Sequence, residues 1–180
     1  MIEHFEFLTA KRNSFKPNIS PNRGDSIFEF VSEQLYREYI NNKTVGIKWK
    51  YRDSEVYLFE QEQNIIGCPT PDLRKVVAIY PIKHPVYRAP YNAVIYNADG
   101  SIHLQLKPPK LVSELAKKHG VTADTINPVY LYFENVQWAK DSYDEIVCSV
   151  TIGFGWEWRE GRVLNPETGE FGECLSSGRR

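Results

Sequence analysis

The sequence predicts an α+β fold, a mainly antiparallel sheet of six to eight strands with one long and one short helix packed on it. Three observations predict it. Ile27, Val31, Leu35 and Tyr39 recur at four-residue spacing behind a Ser26-x-x-Glu29 capping box, the pattern of an amphipathic helix. Short segments with alternating apolar and polar residues, separated by turn residues, fill most of the remaining chain. Asp99-Gly100 supplies the positive φ angle of a tight hairpin turn between Val94-Ile95-Tyr96 and Ile102-His103-Leu104.

The chain has 180 residues, 42% hydrophobic and 25% charged, as expected of one folded domain spanning 1–180. A chain of this length buries about 70% of its unfolded surface, so a core forms without disulfide or metal staples. The segment 1–22, rich in Asn, Ser and Pro towards its end, reads as an irregular start. The long helix is expected from Ser26 to Asn41, with Glu29, Glu33, Arg37 and Glu38 outward.

Val45, Ile47, Trp49 and Tyr51 alternate with Gly46, Lys48 and Lys50, and Val56 to Phe59 follows after a turn, which predicts a hairpin. Lys75 to Tyr80 predicts a further strand. Pro81, Pro85 and Pro90 then exclude a regular ladder from 82–91, since proline has no N–H to donate, and predict a fixed surface loop. The short helix is expected over Leu111 to His119, entered through Pro108-Pro109 and left at Gly120. Two long strands, Val129 towards Trp138 and Glu145 towards Trp158, form an antiparallel pair across the polar loop Ala139 to Asp144. Arg162 to Leu164 adds a short strand before the turn at Asn165 to Gly169, and 175–180 reads as a mobile tail.

Met1 to Leu8 lacks the basic and apolar regions of a secretory signal, and no apolar run is long enough to span a membrane. A soluble, cytoplasmic protein is expected. Cys68, Cys148 and Cys174 are too few and scattered for a disulfide framework or zinc site, and read as reduced thiols. The four histidines, His4, His84, His103 and His119, lack metal-ligand spacing, with His4-Glu6 the only weak pair. No metal or other cofactor is expected. Gly153 and Gly155 lie between strand residues, not in a phosphate-cradling strand-to-helix loop.

Arg23-Gly24-Asp25 matches an adhesion tripeptide, but Asp25 belongs to a helix start; Leu164 to Gly169 resembles a sortase sorting signal with an inserted residue, but reads as a turn. Leu115 to Ile126, with Gly120 at the turn and Thr122 as a second N-cap, resembles a helix-turn-helix DNA reader. That resemblance implies DNA binding through 111–126, although Asn127-Pro128 stops the second helix after little more than one turn.

Phe154, Trp156 and Trp158 alternate along one strand face with Trp138 expected nearby, an arrangement suited to core packing or to an exposed recognition row. Charge separates the regions. Residues 1–52 carry a net +3, 53–140 are balanced, and 141–173 hold eight acids against Arg159 and Arg162, a net −6.

An acidic surface beside aromatics suits a basic protein partner, with charge speeding encounter and rings supplying affinity. With no convergent nucleophile, base, metal or phosphate site, the sequence predicts a non-enzymatic protein binder, inhibitory or toxin-neutralising (immunity-like) in kind. Asp141, Asp144, Glu145, Trp156, Glu157, Trp158 and Glu160 are its expected contact residues. The alternative is a small-ligand enzyme or hydrolase with a pocket near 81–91 lined by His84, Tyr87, Arg88 and Tyr91; His103 is a further catalytic candidate. The near-neutral overall charge, −1, disfavours nonspecific nucleic-acid or membrane binding.

Overall fold

The structure, a computed structural model, describes residues 1–21, 32–41, 45–119, 130–155 and 157–179. Twelve strands run among them: β1 (Ile2–Thr9), β2 (Ser14–Phe15), β3 (Val45–Tyr51), β4 (Ser54–Leu58), β5 (Ile66–Pro69), β6 (Lys75–Ile79), β7 (Ala93–Asn97), β8 (Ile102–Gln105), β9 (Leu131–Lys140), β10 (Ile146–Phe154), β11 (Trp158–Leu164) and β12 (Phe171–Arg179). They form three four-stranded sheets, in the orders β2-β1-β3-β4, β5-β6-β7-β8 and β12-β11-β10-β9. Every paired neighbour is antiparallel.

This corrects the expected architecture of one sheet carrying a long helix. Among the described residues the helices are short, α1 (Glu33–Asn41) and α2 (Glu114–Lys118), and α1 buries no residue fully. The β5–β8 sheet lies between the other two. Along β6 and β7 the period-2 alternation divides the side chains between two cores. Val77, Ile79, Ala93 and Ile95 meet Phe133, Val150, Ile152 and Phe154 of the carboxyl-terminal sheet. Val76, Ala78, Tyr80, Val94 and Tyr96 meet Phe5, Phe7, Ile47 and Trp49 of the amino-terminal sheet. Burial on both faces explains the unbroken apolar run Val76 to Tyr80.

The expected irregular start instead carries the strands β1 and β2. His4 takes φ +49 and the β1–β3 register shifts between Glu3 and Glu6. That bulge restores burial to Ile2, Phe5 and Phe7, and hides the alternation from a sequence pattern. The expected mobile tail is also strand, because β12 pairs with β11 through Arg179↔Trp158.

Residues 26–31 of the expected long helix lie outside the described residues. In the described part, Ser32 Oγ accepts the Leu35 N–H at 3.3 Å as an N-cap, and Tyr39 packs edge-on against Phe15 at 5.3 Å. Glu38, expected to face outward, turns to the β1–β2 hairpin and accepts from Asn13 Nδ2 at 3.0 Å and Thr9 Oγ1 at 3.3 Å.

The expected short helix starts later than its prolines suggest. Ser113 Oγ accepts the Ala116 N–H at 3.2 Å, so the helix begins after this cap. The 120–126 half of the helix-turn-helix resemblance, with Asn127-Pro128, lies outside the described residues. So does the Arg23-Gly24-Asp25 tripeptide. The Asp99-Gly100 hairpin forms, with Gly100 at φ +85 and the Asp99 carboxylate accepting the Ser101 N–H at 3.0 Å.

Candidate protein-docking site

The loop joining β9 to β10 is a tight, internally bonded turn. The Asp141 N–H donates to Glu145 O at 3.0 Å and the Asp144 N–H to Asp141 O at 3.2 Å. Asp141 Oδ1 accepts the N–H groups of Tyr143 and Glu145, both at 2.9 Å. Asp144 takes φ +64, a conformation Asp tolerates, and its carboxylate pairs with Lys140 Nζ at 2.7 Å. Glu173 on β12 accepts the Ser142 N–H at 2.9 Å and ties the turn to the sheet edge.

This bonding presents Tyr143 with 84% of its surface exposed and Ile146 with 47% exposed. Asp141, Asp144, Glu145 and Glu173 belong to the same turn or bond to it. Neither apolar residue was legible as a contact from charge pattern alone. A tyrosine in a short polar loop between two long strands is the signal that marks it.

The structure does not bring all the expected contact residues together. Glu157 and Trp158 lie at the opposite end of β10, about 27 Å away for a strand of this length. Glu157 pairs there with Arg179 at 3.1 Å. Trp158 is half-buried, its ring stacked on His119 at 4.6 Å. Trp156 lies outside the described residues. Phe154 is a core residue, and Trp138 is half-buried with Nε1 donating to Pro69 O at 2.7 Å.

Glu160 cannot contact a partner, because it is fully buried. On β11 the residues Trp158, Glu160, Arg162 and Leu164 pair with Phe154, Ile152, Val150 and Cys148, so they share the inward face. The Glu160 carboxylate accepts the Ser113 N–H at 3.0 Å, the Val112 N–H at 3.3 Å and Arg162 Nη1 at 3.1 Å. Arg162 also donates to Gly172 O and Lys110 O. This pair organises the approach to α2 from within.

The loop 81–91 does not place its expected pocket residues around a hollow. His84 is buried, its Nδ1 accepting the Tyr87 N–H at 2.9 Å. The Nε2 proton therefore points to Glu60 Oε2 at 3.0 Å, a tautomer assigned from these bonds. Tyr87 stacks on the imidazole at 5.6 Å, whereas Arg88 and Tyr91 lie at the surface. The ring thus secures the loop. Beneath it the Tyr80 and Tyr96 hydroxyls meet at 2.5 Å. Burial raises Tyr80 above the ordinary phenol range and pushes Tyr96 up to about 12.

His103 Nε2 lies 2.8 Å from Glu167 O at the surface. Glu167 in turn pairs with Lys75 on β6. Burial raises Cys68 well above the ordinary thiol value and pushes Cys148 up to about 12, so neither is a ready thiolate at neutral pH. Among the described residues no cluster of three His, Cys, Asp or Glu is placed to hold a metal ion, and no helix is long and apolar enough to cross a membrane. No family model, curated protein or solved structure matches this chain.

Proposed function

We propose that this protein works by binding a basic surface of another protein at the β9–β10 turn. Tyr143 is the anchor, and Asp141, Asp144, Glu145 and Glu173 provide the complementary charge. The observation that carries this is the exposure of Tyr143 on a turn already held by Asp141. Tyrosine supplies large contact area with few torsions to freeze, and a pre-bonded turn reduces the ordering cost on association. Occlusion of a partner's basic functional site, as an inhibitory or toxin-neutralising protein would achieve it, is the specific form of this reading.

A photo-crosslinking amino acid placed at 143, with position 57 as control, identifies the partner, which is then purified for titration. Tyr143→Ala should weaken binding about thirtyfold, equivalent to a hot-spot loss of about 2 kcal/mol. Asp144→Lys with Glu145→Lys should slow association and reduce its salt dependence, whereas Glu157→Lys should change little. Affinity unchanged by the first two substitutions would refute the proposal.

A further inference from the structure

A separate groove of about 1200 Å³ extends over the outer face of the β9–β12 sheet, away from the docking turn's tip. Its floor follows from the register. Asn135 pairs with Thr151, Thr151 with Gly161 and Gly161 with Ser176, one row across all four strands, and Gln137 pairs with Ser149 beside it. These positions alternate with the core-facing Cys148, Val150 and Ile152. The strap 17–21 and β5 supply another wall.

We infer that this groove binds a neutral oligosaccharide. Ser149 lines the groove, is only 5% exposed, and its hydroxyl has no hydrogen-bond partner among the described residues. The residue is packed into the sheet while its hydroxyl opens to the groove, where it can donate to and accept from a ligand. Gly161 keeps the floor open beside it. A Cβ there would stand 2.6 Å from Ser176 Oγ and 3.7 Å from Ser149 Oγ.

The ligand class follows from what the floor offers. Backbone groups on a sheet face are already paired in the ladders, so recognition runs through hydroxyls, amides and the Arg159 guanidinium. An extended peptide recognised through its main chain needs a sheet edge instead. Hydroxyls and amides both donate and accept, as sugar hydroxyls do. Charge in the groove is nearly balanced: Arg159 and Glu134 both line it, and Lys140 is paired with Asp144. The volume exceeds the roughly 300–1000 Å³ of sites for drug-sized ligands, leaving room for several sugar rings.

The test is titration of the full chain, followed by backbone amide NMR, with cellopentaose, maltopentaose and chitopentaose at about 10 mM, above the Kd of about 1 mM expected of a weak polar site. At least one should shift the amides of Thr151, Gly161 and Ser176. Gly161→Leu should abolish the shifts, and Ser149→Ala, which adds no bulk, should weaken binding about fivefold with an unchanged melting temperature. Silence with all three sugars would overturn the inference, as would unchanged binding in both variants. A polar heptapeptide that shifts these amides while the sugars do not would overturn it too.

Discussion

The Asp141 carboxylate holds the N–H of Tyr143, two residues on, at 2.9 Å, and through the same oxygen the N–H of Glu145. A single side chain therefore sets the backbone beneath the most exposed aromatic ring among the described residues. Asp141→Ala should lower stability by about 1 kcal/mol, a modest loss because the turn is solvated, and weaken partner binding without touching Tyr143. Asp141→Asn keeps an acceptor oxygen and should retain most of both. Urea denaturation and titration with the purified partner check the pair.

Glu160 and Arg162 form a buried ion pair at 3.1 Å, and Glu160 also satisfies two N–H groups before α2. Removing one member leaves a charge without its counter-ion in the interior. Glu160→Ala should destabilise the protein by about 3–5 kcal/mol, read as a lowered urea midpoint. Surface acids such as Glu157 should be nearly neutral in the same measurement.

Asn92 links two sheets through one side chain. Its Nδ2 donates to Tyr80 O and Phe133 O at 2.8 Å, and its Oδ1 accepts the Phe133 N–H at 2.9 Å. Phe133 adjoins the register shift in the β9–β10 ladder, where backbone groups need outside partners. Asn92→Leu should cost about 3 kcal/mol or more, since each buried group left unbonded costs about 1–3 kcal/mol. Hydrogen exchange should show the Phe133 amide losing protection first.

Alkaline pH should destabilise the protein through the Tyr80–Tyr96 pair. Tyr96 is raised from 10.0 to about 12, with burial the first cause, and Tyr80 is raised as well. The folded state thus keeps protons that the unfolded chain releases, so stability is full below pH 10.0 and falls towards about pH 12. Denaturation midpoints measured across this interval should decline, and the decline should be shallower in Tyr96→Phe.

Much of the strand content was legible locally. The Asp99-Gly100 turn follows from a positive φ and an aspartate that caps its own turn, and both depend on adjacent residues. The β9–β10 hairpin follows from alternation on either side of a polar loop, whereas the expected single strand from Glu145 towards Trp158 instead reverses after Phe154, which pairs with Trp158 across β10 and β11. The number of sheets was not legible, because a strand buried on one face and one buried on two differ only in what covers them. The β1 bulge likewise conceals Ile2, Phe5 and Phe7 from a strict alternation.

For the candidate site, charge counting found Asp141, Asp144 and Glu145 but grouped them with Glu157 and Glu160. Sequence proximity placed those acids in one region, whereas β10 carries the chain to the far end of the sheet before Glu157. By itself the sequence determined turns such as Asp99-Gly100, the alternation and the acidic balance of residues 141–173, because backbone torsion and side-chain charge act over a few residues. Only the tertiary structure decided that Glu160 is sealed beneath α2, that His84 secures a loop and that Tyr143 faces solvent. Burial is a property of the layer that covers a face, and that layer comes from distant parts of the chain.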